Sequence, residues 1–320
     1  MKEFFVTGAD SNMRLDRWCK KNTSLPYGVI QKLLRKKDIK IDGKRAKADT
    51  LIQTGQTIAI YTDFDIFQEQ QNYSLSQQKK DETRRWVIKR SKDFIIINKP
   101  AGLAVQGGTN IKDSIDTRLP ALVQDNEDTP KLVHRLDKDT SGVLLLGTSR
   151  SSAATLTEQF RARHSKKIYW ALIAGVPDEP MGEINLPLGK KLADSVEKMS
   201  VVPDDEGKQA LTYYRVIESF EHHICWVELL PVTGRTHQLR VHMNAIGHPI
   251  IGDGKYGGRA AFPDAAKGLA KQLHLHARYL HLPHVKYCRA TANLPVHMQQ
   301  SWDMLNFSNK DRGVSLLEMQ

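Results

Sequence analysis

The spacing of apolar residues divides the chain into a short N-terminal segment and a longer, strand-rich body. Apolar positions recur at helical spacing over Leu15–Cys19 and again over Ile30–Leu34, after Pro26, which predicts two short helices. Alternating isoleucines then flank the dipeptide Asp42-Gly43, whose composition predicts a tight turn within a small β-structure. We therefore expect a compact α+β module over residues 1–61.

The rest of the chain begins with a polar, glutamine-rich stretch over residues 62–84, which has little periodicity and is predicted to be a linker. Over residues 85–305 the runs FIIIN, KIYWALIAG, ALTYYRVIESF, HICWVELLPV and LHLHARYLHL are each typical of a strand. One helix is expected at 151–163, capped by Ser151 or Ser152. Many strands with few helices between them predict an α+β domain with a mixed, largely antiparallel sheet flanked by helices and loops. A tail is expected over residues 306–320.

Positive charge is concentrated in the N-terminal module. The chain has a net charge of +11, and residues 1–61 hold 13 Lys and Arg against 6 Asp and Glu. A basic module attached to a nearly balanced body is typical of a unit that binds a polyanion, and it favours nucleic acid over a merely solvated surface.

Three further features point to a soluble protein of the cytoplasm. The three cysteines are far apart, which predicts neither a disulfide framework nor a thiolate zinc site and fits a reducing compartment. The start MKEFFVTGADSN lacks the apolar stretch of a secretory signal. No run approaches the roughly 18–20 apolar residues that a transmembrane helix needs.

The segment VHRLDKDTSG, residues 133–142, is a polar loop between two apolar runs. Loops of this kind bring side chains to the edge of a sheet, where substrates bind, although the composition alone also suits a surface turn. The stretch Asp139–Gly142 resembles an aspartic-protease loop only superficially, because Ser141 intervenes and no second loop supplies the carboxylate dyad. Asp137 and Asp139 also make a weak glycosidase pair, because residues two apart in one loop need not flank one bond.

A second polar cluster, PVTGRTHQLRVHMNAIGHPIIGDGKYG, spans residues 231–257. The alternation in THQLRV suggests a strand with one polar face. The GDGK stretch does not complete a Walker A motif, because Pro249 and Tyr256 stand where Gly and Ser or Thr are required. Several histidines raise the hypothesis of a metal site, but no cysteine or paired carboxylate accompanies them: His237, His242, His274, His276, His281 and His284. We therefore expect neither nucleotide hydrolysis nor a metal.

Four stretches of the body, in order, resemble the RluA family of pseudouridine synthases. They are NKPAG at 98–102, HRLDKDTSG at 134–142, KKIYWALIAG at 166–175 and TGRTHQLRVHM at 233–243. The resemblance covers about residues 86–290. Within that family the chain is similar to the bacterial large-subunit ribosomal RNA enzymes of the C or D subtype, and the stretch AVQGG favours C.

This resemblance implies an enzyme that isomerises uridine to pseudouridine in ribosomal RNA, most simply that of the large subunit. It implies a monomer without metal or nucleotide cofactor. It assigns Asp137 as the essential carboxylate, Tyr169 as an active-site tyrosine and Arg240 as the cation that partners the carboxylate. Leu239 would pack beside the uracil, and Arg135 would fill the gap left by a flipped base. From the residues alone, Tyr169 could be a core aromatic and Arg135 a phosphate contact, and the chemical step that Asp137 performs stays open.

The N-terminal module has its own resemblance. MRLDRW, VIQKLLRKKDIKIDGKRAK and GQTIAIY resemble a small RNA-binding module, the α-L motif, first described in a small-subunit ribosomal protein. Phosphate contacts from such a module supply affinity but little sequence choice. The resemblance implies that six basic side chains lie near RNA phosphates: Arg14, Arg17, Lys32, Arg35, Lys36 and Lys40. The alternative hypothesis is a non-catalytic RNA-binding or ribosome-assembly factor on the same fold.

Overall fold

The computed structural model describes residues 1–23, 25–62, 64, 75–107, 113–124, 127–162, 165–193, 196–308 and 316. The chain forms two units, one built from Met1–Ser76 and the other from Gln77–Gln106 with Asp113–Gln320. In these described stretches, no helix has the length and apolar character needed to cross a bilayer.

The N-terminal unit contains two helices and a four-stranded sheet. Its elements are β1 Lys2–Phe5, α1 Leu15–Asn22, α2 Tyr27–Lys36, β2 Ile39–Ile41, β3 Lys44–Arg45 and β4 Thr57–Ile60. The strand order is β1-β4-β2-β3, and every pair is antiparallel. The predicted helices and turn are confirmed. Asp42 and Gly43 both have positive φ, at 49° and 73°, as a two-residue hairpin turn of type I′ requires.

The second unit carries the large sheet. Its strands are β5 Val87–Arg90, β6 Phe94–Lys99, β7 Lys131–Leu132, β8 Ser141–Gly147, β9 Lys166–Ala174, β10 Met181–Asn185, β11 Leu188–Ala193, β12 Val196–Val201, β13 Leu211–Phe220, β14 Ile224–Pro231, β15 Leu275–His281 and β16 Arg289–Thr291. Its α-helices are α3 Gln77–Arg85, α4 Ile115–Arg118, α5 Arg150–Arg161, α6 Gln238–Ala245 and α7 Val296–Met304.

The main sheet runs in the order β10-β13-β14-β9-β15-β8-β6-β5, with β16 beside β15 and β7 beside β8. Every pairing in it is antiparallel except β15 with β8, which is parallel. Strands β11 and β12 form a separate hairpin. The predicted mixed, largely antiparallel sheet is confirmed.

The parallel pair lies at the centre of this sheet and depends on a glycine. His276 pairs with Ser141, and Ala277 pairs with Gly142. Gly142 has a φ of +111°, and a Cβ atom built there would collide with the backbone of Ala277. Since only glycine combines this conformation with so close an approach, Gly142 lets the polar loop that precedes β8 enter the middle of the sheet.

Helix α3 corrects the predicted linker, because it occupies the end of the segment 62–84. The helix is polar, and Thr83 is its buried residue. Ion pairs fix it in place: Lys79 contacts Asp113 at 2.8 Å and Glu82 contacts Arg118 at 2.6 Å. Its sequence has no apolar stripe to mark it as helical. Residues 63 and 65–74 of the predicted linker lie outside the described residues.

Two smaller expectations are also corrected. Helix α5 confirms the predicted helix at 151–163, but its N-cap is Ser149, whose side chain accepts a hydrogen bond from the backbone of Ser152. Part of the predicted tail belongs to the core, since Phe307 and Leu316 are buried in the cluster that contains Trp302. Residues 309–315 and 317–320 of that tail lie outside the described residues.

Candidate active site

The second unit contains a cleft of about 570 Å³ that brings the predicted site residues together. Asp137 and Arg135 reach it from the loop before β8, Tyr169 from β9, and Leu239 and Arg240 from α6. These residues are up to 105 positions apart in the sequence. The three predicted catalytic residues and the two residues predicted to bind the base or fill its gap therefore line one cleft.

A buried lysine fastens the loop that carries Asp137. The Nζ atom of Lys99, at the end of β6, donates hydrogen bonds to the carbonyl oxygens of Pro100, Leu103 and Lys138 at 2.7–2.9 Å. Burial lowers the pKa of Lys99 to about 7, against the opposing effect of the aspartates in the loop. Lys99 therefore has a structural role: its side chain ties β6 to Lys138, the residue that follows Asp137.

The other side of this loop is held by His134. Its Nε2 accepts a hydrogen bond from the backbone N–H of Leu145 at 2.9 Å. Its ring stacks on Phe160, with centroids 4.4 Å apart and an interplanar angle of 19°. Burial lowers the pKa of His134 to about 3, so the ring is neutral at pH 7 and its Nε2 is free to accept. Asp137 therefore projects from a loop anchored on both sides.

Tyr169 lies in the middle of β9, paired with Leu229 on one side and Ala277 on the other. The side chain is half-buried and lines the cleft. Burial raises the pKa of Tyr169, and the carboxylate of Asp137 raises it further. At neutral pH the tyrosine therefore offers a ring face and a neutral hydroxyl group.

Arg240 forms a buried ion pair with Asp253. Its Nε donates to Oδ2 of Asp253 at 2.8 Å, and its Nη2 donates to Oδ1 at 2.6 Å. The Asp253 side chain is 1% exposed and the Arg240 side chain 7%. The guanidinium also lies 5.0 Å from the ring centroid of Tyr256. This corrects the expectation that Arg240 pairs directly with Asp137, because Asp253 occupies two of its donors.

The carboxylate of Asp137 still acts on Arg240 through space. Burial lowers the pKa of Arg240, while the hydrogen bonds to Asp253 raise it and the charge of Asp137 raises it further; the net shift is upward. Arg240 thus remains a fixed positive charge beside the cleft.

The segment that carries Leu239 and Arg240 is a helix and not the predicted strand. The side chain of Gln238 accepts hydrogen bonds from Thr233 Oγ1 at 2.7 Å and from the backbone N–H of Arg235 at 3.0 Å, which orders the turn that precedes α6. Every residue from Gln238 to Met243 is buried. A helix buried on all sides lacks the separate apolar and polar faces that identify a helix in a sequence. The alternation of polar residues therefore predicted the two-residue period of a strand and not the period of a helix.

His237 is a candidate functional residue that the sequence interpretation did not assign. It stands at the N-cap of α6 with a φ of 54°, a left-handed conformation that is uncommon outside glycine. Its Nε2 lies 3.7 Å from Oδ1 of Asp137, and its Nδ1 lies 2.5 Å from the hydroxyl of Tyr256. Burial lowers the pKa of His237, although Asp137 opposes the shift. The feature that marks His237 as a candidate is its left-handed backbone conformation. This conformation is set by the fold and could not be predicted from the sequence.

Three other histidines of the metal hypothesis form hydrogen bonds with protein groups. His242 contacts Thr212 Oγ1 at 3.0 Å, His274 contacts Ser301 Oγ at 2.7 Å, and His276 contacts Ser141 Oγ at 2.8 Å. Within the described part of the chain, no cluster of three or more His, Cys, Asp or Glu is arranged to hold a metal ion.

The six basic residues predicted to approach RNA differ in exposure. Arg17, on α1, is exposed, as are three residues of α2: Lys32, Arg35 and Lys36. Arg14 is half-buried and donates two hydrogen bonds to Asp16, at 3.1 and 2.9 Å. Lys40 is also half-buried, with its Nζ 5.0 Å from the ring centroid of Tyr61. The exposed face of α2 therefore carries the largest group of unburied cations in this set.

Comparisons with known proteins identify the family of the chain. The sequence profile described as RNA pseudouridylate synthase matches residues 93–245. The ribosomal large subunit pseudouridine synthase C of Rickettsia bellii is 37% identical over 82% of this chain and 87% of its own length. The enzyme of the same name from Vibrio cholerae is 31% identical over 91% of this chain and 92% of its own length.

Two further comparisons reach beyond bacteria. The mitochondrial RNA pseudouridine synthase 4 of Arabidopsis thaliana is 32% identical over 88% of this chain and 76% of its own length. The solved structure of human RNA Pseudouridylate Synthase Domain Containing 4 superposes with a TM-score of 0.60 and 30% identity. The match covers 72% of this chain and 98% of the human one. These relatives, together with the cleft and the sheet, show that the chain belongs to the RNA pseudouridylate synthase family.

Proposed function

We propose that this chain isomerises uridines of large-subunit ribosomal RNA to pseudouridine. The observation that carries the proposal is the single cleft lined by Asp137, Tyr169 and Arg240. The names of the bacterial relatives, at 31–38% identity, support the large ribosomal subunit as the source of the substrate. The alternative of a non-catalytic assembly factor gains no support, because a binding role alone does not need these three side chains in one cleft.

The reaction requires one carboxylate from the protein and a pocket shielded from water. The bond between ribose C1′ and uracil N1 breaks, the base turns, and a bond forms between C1′ and C5. The proton lost from C5 is balanced by the proton gained at N1, so no electron is transferred and no water is consumed. Among the residues that the structure describes, Asp137 is the one carboxylate that lines the cleft. It is therefore the group to which the covalent or proton-transfer role is assigned.

The remaining side chains position the base and the carboxylate. Tyr169 offers its ring to the uracil and its neutral hydroxyl to the proton movements at C5. Leu239 supplies apolar surface beside the base. Arg240 stabilises the negative charge of Asp137 from its fixed position on Asp253, since a carboxylate that a base covers would otherwise lose hydration without compensation.

Access to the uridine requires that the base leave its helix or stack. Flipping a base costs a few kcal/mol, and an inserted side chain offsets part of that cost. Arg135 is exposed at the rim of the cleft, two residues before Asp137. Its position supports a role in filling the gap that the flipped base leaves.

The first test is Asp137→Asn in the purified protein, assayed by tritium release from ribosomal RNA labelled at uridine C5. We expect no release, because the amide can neither attack nor accept the proton. Asp139→Asn is the matched control, since Asp139 belongs to the same loop but does not line the cleft, and it should keep most of the activity. Full release from the Asp137→Asn protein would contradict the proposal. Comparison of pseudouridines in ribosomal RNA from strains with and without this gene would identify the target uridines.

The N-terminal unit is proposed to hold the RNA by its phosphates. Replacing Lys32, Arg35 and Lys36 with glutamine should weaken RNA binding and flatten its dependence on salt, by about one unit of log–log slope for each lost phosphate contact. The control is neutralisation of the exposed residues Lys44 and Arg45 at the hairpin, which should have the smaller effect. Equal slopes in all variants would argue against this role for α2.

The oligomeric state, the cellular compartment and the need for a cofactor are further parts of this proposal. We infer a monomeric enzyme of the cytoplasm that needs no nucleotide cofactor. Support for the reducing compartment comes from Cys19, Cys225 and Cys288, which are all free and buried. Light scattering with fractionation of cells would test the oligomeric state and the location directly.

A further inference from the structure

Strand β9 presents two successive lysines, Lys166 and Lys167, to opposite faces of the sheet. Lys167 and Tyr169 both line the cleft, whereas Lys166 and Ile168 do not. Two residues along a strand span about 7 Å, which is the scale of one nucleotide. Lys167 therefore lies about one nucleotide away from the place where Tyr169 meets the target base.

The ammonium group of Lys167 sits in an unusual environment for a lysine. It lies 5.8 Å from the ring centroid of Phe160, which is stacked in turn on His134. The side chain is half-buried, and burial lowers the pKa of Lys167. Within the described ranges of the chain, no carboxylate or carbonyl oxygen accepts a hydrogen bond from its Nζ. His134 is neutral at pH 7 because burial lowers its pKa, so it adds no positive charge next to Lys167.

The ammonium is therefore partly shielded from water, and its contact among the described residues is a weak one with an aromatic ring. A partly shielded cation of this kind is stabilised when an anion approaches it, because the anion compensates the hydration that the cation has lost. The surroundings favour a ligand as the source, because Arg135 and Arg161 line the same cleft and both are exposed. Arg161 lies 3.6 Å from the carboxylate of Glu158, but both side chains are largely exposed, at 77% and 66%, so this pair neutralises little of the positive charge on the cleft wall.

We propose that Lys167, with Phe160 and Arg161, forms a subsite for the RNA backbone phosphate next to the target uridine. Lys167 donates to the phosphate oxygens, Phe160 supports the lysine stem, and Arg161 adds long-range attraction at the rim. The flanking-phosphate subsite sets the register of the strand, so that the uridine one step away meets Tyr169 and Asp137. The inference rests on the proposed function, since the ligand is the backbone of the RNA substrate.

The first experiment compares Lys167→Met with Lys166→Met, using unmodified large-subunit ribosomal RNA as the probe. Methionine keeps the apolar stem against Phe160 and removes only the charge. For Lys167→Met we expect kcat/KM to fall by about 10- to 100-fold, the effect of one charge-assisted hydrogen bond. The dependence of log kcat/KM on log salt should flatten by about one unit. Lys166→Met, on the opposite face, should match the wild type, and Lys167→Arg should recover most of the loss.

The second experiment identifies the phosphate. A short RNA fragment that spans the mapped uridine is made with a single neutral methylphosphonate linkage, on one side of the uridine and then on the other. At one of the two positions, the wild type should lose as much kcat/KM as the Lys167→Met variant loses on normal RNA. The variant itself should be insensitive to that linkage, because the interaction is already absent. If the loss caused by the methylphosphonate and the loss caused by Lys167→Met multiply in the variant at both linkage positions, the two changes act independently, and this would overturn the subsite.

Other outcomes separate the competing explanations. A fall in kcat at saturating RNA with an unchanged salt slope would mean that Lys167 acts on protons in the reaction, and would overturn the subsite. A lower melting temperature with normal kinetics would assign Lys167 to packing and would also overturn it. If the wild type is active and Lys167→Met is identical to it, the subsite fails while the proposed function stands. If the wild type releases no tritium, both fail.

Discussion

The buried pair between Arg240 and Asp253 allows stability and activity to be separated in one set of variants. Both side chains are nearly inaccessible, at 7% and 1% exposure, and two hydrogen bonds of 2.8 and 2.6 Å join them. Asp253→Leu leaves the guanidinium buried without a partner. Breaking a buried pair in this way costs about 3–5 kcal/mol of the free energy of unfolding. In a unit of this size that corresponds to a fall in melting temperature of roughly 6–20 °C.

The double variant Arg240→Met with Asp253→Leu should regain most of that stability. Replacing both members of a buried pair by apolar residues of similar volume is often neutral or stabilising. Activity should not return, because the fixed positive charge beside Asp137 is gone. The two readouts are thermal unfolding followed by circular dichroism and tritium release from labelled RNA, measured on the same preparations.

An exposed pair provides the control for this cycle. Arg84 and Asp81 lie 3.5 Å apart with side chains 56% and 47% exposed, so Asp81→Ala should cost less than about 1 kcal/mol. The reasoning is refuted if Asp253→Leu costs no more than this control. It is also refuted if the double variant is both stable and fully active, since Arg240 would then contribute nothing to the reaction.

Three other predictions test the framework of the site. Gly142→Ala should destabilise the protein by about 2–5 kcal/mol, because the new Cβ collides with Ala277 at a positive φ; urea unfolding of the variant within 1 kcal/mol of wild type would contradict this. Lys99→Met should reduce kcat by about tenfold or more with little change in RNA affinity, because the loop that carries the catalytic carboxylate loses its anchor; an unchanged kcat in single-turnover assays would exclude that role. Burial holds the pKa of His274 at about 4 and of His276 at about 3, below the usual value of about 6.5. As the pH falls, the unfolded chain binds these protons before the folded chain does. Each neutral buried histidine therefore makes its full contribution to the free energy of unfolding above pH 6.5. That contribution decreases as the pH falls towards 4, by about 3 kcal/mol for each histidine. Urea unfolding of wild type and His276→Gln across this range should show a shallower pH dependence in the variant, and parallel curves would count against it.

The sequence by itself determined the parts that depend on local chemistry. The helices around Leu15 and Ile30 follow from apolar spacing, and the turn at Asp42-Gly43 follows from residues that tolerate positive φ. The long strands are visible because apolar and β-branched runs mark them wherever they pack. The loop that contains Asp137 could be identified as a candidate site because its polar groups lie between two such runs, and its resemblance to a known family supplied the reaction. Each of these signals lies within about ten neighbouring residues.

Tertiary structure decided the features that depend on residues far apart in the chain. The parallel pairing of β15 with β8, which places the Asp137 loop at the centre of the sheet, joins segments about 135 residues apart. Helix α6 was misread as a strand because burial on every side removed its amphipathic period. The partner of Arg240 is Asp253, and the neighbour of the Lys167 ammonium is the ring of Phe160. Charge, burial and backbone conformation at these positions are set by neighbours that the local sequence does not contain, and so the sequence indicated which groups react while the fold decided what surrounds them.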